Sequence, residues 1–165
     1  MSGAKGLANF LPAIVFVVAC LVAFATGTSW GTIGIMVPLV AAIFNPDNPG
    51  TNAQLLYIGL AASCAGGVCG DHLSPISDTT IMASAGAHCY HLNHVSTQIP
   101  YGVTVAAVSF VMFIVAGFIQ NWIICLAIGV VLMIAVLLVI KMIVAKKHAG
   151  IFEEMKKADA ALKRA

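Results

Sequence analysis

Two carboxylates and a histidine interrupt a long apolar stretch of the chain, within the run Gly70–Thr80 (GDHLSPISDTT). The carboxylates belong to Asp71 and Asp78. The run also carries four hydroxyl groups, on Ser74, Ser77, Thr79 and Thr80. Pro75 has no backbone N–H, breaks a helix and leaves carbonyl oxygens without partners. The run therefore predicts a cluster of oxygen atoms, which are the ligands that hard cations such as sodium prefer.

These carboxylates have no basic partner nearby, because no Lys or Arg occurs between Gly6 and Ile140. A charged side chain at the middle of a membrane costs about 2.5–3.5 kcal/mol, and such residues usually mark ion or proton paths. One carboxyl group holds either a proton or a sodium ion, so the two ions compete. We therefore predict that Asp71 and Asp78 are the shared carboxylates of a sodium and proton site. The structural alternative is that Ser77 or Asp78 caps a short helix and Asp71 satisfies free backbone donors.

Other polar residues are predicted to assist these carboxylates. His72 is predicted to modulate proton movement, because histidine changes its charge near neutral pH. A second polar break, Thr26–Thr32, has hydroxyls and glycines but no charge. Its alternative interpretation is a helix kink whose hydroxyls bond back to carbonyl groups. The neutral oxygen ligands are predicted to come from both breaks: Ser77, Thr79, Thr28 and Ser29.

Three histidines, His88, His91 and His94, follow at a spacing of three residues. They form no standard zinc signature, so His88–Gln98 is predicted to be a polar loop, with pH sensing as an alternative. No nucleophile and base arrangement points to an enzyme. No cofactor is predicted either, and sodium ions and protons enter only as transported ions.

The composition indicates a membrane protein. Hydrophobic residues make up 61% of the 165 residues and charged residues only 8%, against roughly a quarter in soluble domains. A soluble chain this short cannot bury so much apolar surface, so its partner is predicted to be the lipid bilayer. The net charge of +2 is too small to suggest a nucleic-acid partner.

The apolar segments predict an all-α polytopic fold. Residues 7–25 are long enough to cross a bilayer, whereas residues 33–44 are too short and predict the return arm of a re-entrant or broken helical hairpin. Small residues at Ala62, Gly66 and Gly70 predict close helix packing. The Gly70–Thr80 run makes the next helix discontinuous. Two plain transmembrane helices follow, at residues 99–119 and 123–145.

The chain is predicted to consist of a membrane domain, residues 1–145, and a basic amphipathic tail, residues 146–165. Six of the eight basic residues lie in this tail. By the positive-inside rule the C-terminus is cytoplasmic, and the membrane is predicted to be the cell inner membrane. One helical face of the tail is apolar, with Ile151, Met155, Ala158 and Leu162.

Three motifs resemble the NhaC-type sodium/proton antiporter family. They are Thr26–Thr32 followed by Gly34–Pro38, then Gly70–Thr80, then Thr97–Tyr101 (TQIPY). The resemblance covers roughly residues 7–120. It implies an ion transporter with inverted repeats, re-entrant hairpins and broken helices, and it implies exchange of sodium for protons. Some members of the family exchange organic anions, such as malate against lactate, with the ions coupled.

The resemblance is to the C-terminal third of the family's much longer members. The inverted-repeat design places the binding site between two halves, so the expected partner is the N-terminal part of the transporter or a second copy of the chain. One alternative is an ion-coupled exchanger of organic anions or amino acids. The absence of Lys and Arg between Gly6 and Ile140 favours a cation. A second alternative is a membrane subunit that packs against partners without transporting ions.

Overall fold

A computed structural model describes residues 2–45, 47–48 and 51–162, and over these residues the chain forms six α-helices and no strand. The helices are α1 (Ser2–Thr26), α2 (Ser29–Ile43), α3 (Ala53–Leu73), α4 (Asp78–Gly86), α5 (His91–Ile119) and α6 (Trp122–Leu162). In the described part of the chain, four segments are long and apolar enough to cross a membrane: Ala8–Thr26, Ala53–Leu73, His91–Ile119 and Trp122–Ala145. The predicted all-α polytopic membrane fold is thus confirmed.

Helices α1 and α2 form the predicted hairpin, and the chain reverses at Gly27 and Thr28. Gly27 has a φ of 68°, a left-handed conformation that glycine adopts without steric cost. The Thr28 side chain caps α2 by accepting a hydrogen bond from the backbone N–H of Gly31. With 15 residues, α2 is about 22 Å long, shorter than the roughly 30 Å hydrocarbon core of a bilayer.

Helix α3 lies against both arms of the hairpin and runs parallel to α1. A Cβ atom added to Gly66 would overlap the carbonyl oxygen of Phe16, and one added to Gly70 would overlap the carbonyl oxygen of Cys20. The two backbones therefore touch along this face of α3, as small residues allow in membrane helices. This contact places the end of α3 beside the tip of the hairpin.

Substituting alanine for Gly66 should force α1 away from α3 and lower the thermal stability of the protein. The displaced atoms belong to the Phe16 backbone, which cannot rotate out of the way, and such overpacking typically costs about 1–3 kcal/mol. The measurement is the unfolding temperature of the detergent-purified protein. Gly34→Ala is the matched control, because an added Cβ there meets no atom within 4 Å. Equal unfolding temperatures for both variants would contradict the described packing.

Helix α5 runs antiparallel to α1 and α3. Two aromatic pairs join it to α1, with ring centroids 5.1 Å apart for Phe10 and Phe118 and 5.3 Å apart for Phe16 and Phe113. The separations suit favourable aromatic pairing, which adds to the burial of these rings. The ring pairs fix the position of α5 along the hairpin.

Helices α3 and α5 are also hydrogen-bonded near both ends of α3. At its start, the Asn52 side-chain amide donates to the Gln120 side-chain oxygen at 3.1 Å. At its end, the Gln98 side-chain amide donates to the carbonyl oxygen of His72 at 2.8 Å. These bonds align α5 with the whole length of α3.

The predicted polar loop His88–Gln98 is wrong over most of its length, because α5 begins at His91. Polarity alone suggested a loop here. The Thr97 hydroxyl donates to the carbonyl oxygens of Asn93 and His94, one turn earlier in the helix. Hydroxyl groups satisfied in this way are compatible with a helix.

Residues 130–162 of α6 belong to a second compact unit, separate from the unit that contains α1–α5. Helix α6 continues to Leu162 without a break near residue 145. Side chains from residue 146 onwards lie outside the described ones. The amphipathic character of the tail therefore stays a prediction.

Candidate ion-binding site

The discontinuous helix breaks over only four residues, Ser74–Ser77. Ser74 has a φ of −74° and a ψ of 128°, because the ring of Pro75 pushes the preceding residue into an extended conformation. The rest of the predicted polar run is helical, with Asp71 in the last turn of α3 and Asp78 at the start of α4. The break is thus narrower than the sequence suggested, and it directs both helix ends toward one cluster.

Asp71 is the centre of this cluster and is only 3% exposed. Its Oδ1 accepts a hydrogen bond of 2.7 Å from the Ser77 hydroxyl. The Thr79 hydroxyl lies 2.7 Å from the Ser77 oxygen and 3.4 Å from Asp71 Oδ2. Within the described residues Oδ2 has only this long contact, so it keeps lone pairs available for a proton or a cation.

The electrostatic surroundings of Asp71 favour a cation. No Lys or Arg between Gly6 and Ile140 can neutralise its charge, and an unpaired buried carboxylate is costly. Asp71 itself lies in the last turn of α3, where the free carbonyl groups give the helix end a partial negative charge. Such helix ends bind cations in secondary transporters.

Asp78 lies in a different environment from Asp71. It is exposed, and its Oδ1 accepts a hydrogen bond of 2.8 Å from the backbone N–H of Thr79. An acid in the first turn stabilises a helix N-terminus, as the structural alternative supposed. Within the described residues no hydrogen bond joins the two carboxylates. The structure therefore brings Ser77 and Thr79 to Asp71, but not Asp78.

The two polar breaks meet in space. A Cβ atom added to Gly27, at the hairpin tip, would lie 2.9 Å from the carbonyl oxygen of Ile76 in the α3–α4 break. The predicted ligands Thr28 and Ser29 are half-buried beside this contact. Over the described part of the chain, neither forms a hydrogen bond with Asp71. The tip is thus adjacent to the cluster without being bonded to it.

His72 points away from this cluster. It is exposed, and its ring Nδ1 lies 3.3 Å from the carbonyl oxygen of Val68, one turn earlier in α3. It follows Asp71 directly in the helix, and neighbouring helical positions face different directions. Its predicted role in proton movement must therefore act from the exposed side of α3.

The structure adds residues that the predicted ligand set omitted. The Thr80 hydroxyl is buried and has no partner among the described residues, although it belongs to the polar run. His91 contacts the break through the carbonyl oxygen of Pro75, at 2.8 Å. Nothing in the sequence pairs His91 with Pro75, which lies 16 positions earlier in the chain. Only the antiparallel packing of α5 brings them together.

Among the described residues Asp71 has no basic partner, and it lies where a helical hairpin meets a broken membrane helix. Such an arrangement is typical of secondary transporters. The sequence model of the Na+/H+ antiporter family matches residues 2–118. The chain belongs to this family, and the resemblance noted from its motifs is confirmed.

Curated relatives agree with this assignment. An uncharacterized protein of Haemophilus influenzae is 47% identical over 81% of this chain and 25% of its own length. The malate-2H(+)/Na(+)-lactate antiporter of Bacillus subtilis is 31% identical over 62% of this chain and 21% of its own. An uncharacterized Na(+)/H(+) antiporter of Haemophilus influenzae is 37% identical over 55% and 19%. The chain thus spans a quarter or less of these relatives. No solved structure matches it at a significant level.

Proposed function

We propose that the chain carries the ion-binding residues of a transporter that exchanges sodium ions for protons across the membrane. The observation that carries this proposal is Asp71, a buried carboxylate that has hydroxyl neighbours and, among the described residues, no basic partner. Sodium and a proton compete for this carboxylate, since either neutralises it. Binding one ion therefore requires release of the other, which is the minimal mechanism of exchange.

The neighbouring residues have separate roles in this mechanism. The hydroxyl oxygens of Ser77 and Thr79 supply neutral ligands from the break, and Thr28 and Ser29 supply them from the hairpin tip. Asp78 is the second carboxylate. It is exposed at the start of α4, where it faces the further membrane segments of the complete transporter. Exposed His72 modulates proton access.

Further membrane segments complete the site in this proposal, either the N-terminal part of the transporter or a second copy of the chain. The support is that the relatives are at least four times as long as the matched segment and that transporter sites lie between repeats. The complete transporter, meaning the chain with these segments, resides in the cell inner membrane. The basic residues after residue 140 support a cytoplasmic C-terminus by the positive-inside rule.

Competition between the two ions should be visible in the kinetics of the complete transporter. In everted vesicles that carry a pH-sensitive dye, sodium addition should move protons. The apparent KM for sodium should rise as pH falls, by up to about tenfold per pH unit, because a protonated carboxyl group cannot bind the cation. Empty vesicles are the control. A sodium KM that is independent of pH in the acid range would refute direct competition.

The same vesicles test the exchange of organic anions, and the name of the Bacillus subtilis relative specifies malate and lactate as the anions to use. Sodium-dependent proton movement that requires malate on one side and lactate on the other would favour this alternative. An anion needs a basic residue or a helix N-terminus. The N-termini of α2 and α4 also border the described site, so the support for a cation comes from the buried carboxylate of Asp71.

A further inference from the structure

Helix α5 contacts two carbonyl groups that the α3–α4 break leaves without helical partners. The Gln98 side chain donates to the His72 oxygen, and the His91 ring Nε2 lies 2.8 Å from the Pro75 oxygen. These two donors are seven residues apart, which puts them on one face of α5. Carbonyl groups at a helix end otherwise need water or another partner. Helix α5 therefore supplies donors to both sides of Ser74.

The contact with the Pro75 carbonyl oxygen determines that Nε2 of the His91 ring carries a hydrogen. A carbonyl oxygen only accepts hydrogen bonds, so Nε2 must carry the hydrogen and donate it to Pro75. On its other side, Nδ1 lies 3.0 Å from the Ser84 hydroxyl oxygen in α4. The half-buried ring is thus held between the break and the helix that follows it.

We propose that His91 is a positioning residue for the ion site and acts through the Pro75 carbonyl group. The inference rests on the proposed function, because it concerns the same cluster. Pro75 lies two residues before Ser77, whose hydroxyl donates to Asp71. Holding the Pro75 carbonyl fixes the path of the break, and the path of the break aims Ser77 and Thr79 at Asp71. Pro75 cannot contribute an N–H of its own to this task.

Two substitutions separate the two contacts of the ring. Glutamine places its side-chain N–H near the position of Nε2, so His91→Gln keeps a donor for Pro75. Asparagine is one carbon shorter and reaches only about as far as Nδ1, so His91→Asn keeps the Ser84 contact and loses Pro75. The pair therefore separates the bond to Pro75, which the proposal names, from the contact with Ser84.

The complete transporter with each substitution is assayed for sodium-driven proton movement and, after purification, for hydrogen exchange of the backbone amides at residues 74, 76 and 77. His91→Asn should raise the sodium KM about fivefold, as expected for one lost hydrogen bond, with the maximal rate changed by less than about twofold. Its amides at the break should exchange faster. His91→Gln should match the wild type in both measurements. His94→Asn is the control on the same helix, since its ring forms no hydrogen bond within the described residues.

Equal sodium KM values for the glutamine and asparagine variants would overturn the inference, as would unchanged amide exchange in His91→Asn. If His91→Asn is not recovered folded, His91→Gln decides: a wild-type KM supports the role, and a rise as large as fivefold refutes it. Amide exchange does not depend on transport. Loss of ion competition in the wild type would therefore refute the proposed function while the exchange data still test His91.

Discussion

Asp71→Asn is expected to abolish sodium-driven proton movement in vesicles that carry the complete transporter. Asparagine keeps the size of the side chain and an oxygen for the Ser77 hydroxyl, but it carries no charge and takes up no proton. Two unit charges about 4 Å apart attract by about 4 kcal/mol at an effective dielectric constant of 20. Since 1.4 kcal/mol is tenfold in affinity, sodium binding should weaken by roughly three orders of magnitude.

Asp78→Asn tests the second carboxylate in the same assay. We expect it to abolish exchange as well, through the segments that complete the site, because the described residues leave Asp78 exposed beyond its contact with Thr79. Asp47→Asn is the matched control, an exposed acid in the loop between α2 and α3. Full activity in both the Asp71 and Asp78 variants would refute the proposed ion site. Loss in the Asp71 variant alone would reduce Asp78 to a helix-capping residue.

Gly27→Ala is expected to remove most of the transport activity by separating the two polar breaks. An added Cβ would lie 2.9 Å from the carbonyl oxygen of Ile76 and 3.0 Å from its side chain. The left-handed backbone at Gly27 adds roughly 1–2 kcal/mol of strain for an L-residue. The hairpin tip must therefore move away from the break that carries Ser77. The measurement is the sodium KM of the complete transporter, with Gly34→Ala in α2 as the control.

A second variant at this position separates the two causes. Asparagine tolerates the left-handed conformation better than alanine, but its Cβ atom meets Ile76 just as closely. Gly27→Asn should therefore be as impaired as Gly27→Ala if the contact between the breaks matters. Recovery of wild-type transport in Gly27→Asn would show that only the local backbone conformation matters.

Much of the fold was predictable from the sequence because membrane segments are defined by length and composition. The short arm after the Thr26–Thr32 break and the proline in Gly70–Thr80 identified the hairpin and the discontinuous helix. Both breaks are shorter than predicted, because a polar run was taken as evidence that the helix ends. In the structure, hydroxyl groups such as that of Thr32 bond to carbonyl groups one turn earlier and leave the helix intact.

The candidate site was predictable in its central residue but not in its arrangement. Asp71 and Asp78 look alike in sequence, and only the packing of α3 shows that one is buried and the other exposed. The contacts of Gly27 with Ile76 and of His91 with Pro75 link residues far apart in the chain. Such contacts depend on which helices pack together, and periodicity along a single segment carries no information about this.

The hydrogen bonds at the two ends of α3 bear on how a transporter of this kind moves. Asn52 pairs with Gln120 at one end, and His72 pairs with Gln98 at the other. Sliding or tilting of α5 against α3 would break at least one of these bonds, so they favour movement of the two helices together. In the proposed exchange, a change that opens the Asp71 cluster first to one side of the membrane and then to the other should therefore carry α3 and α5 together.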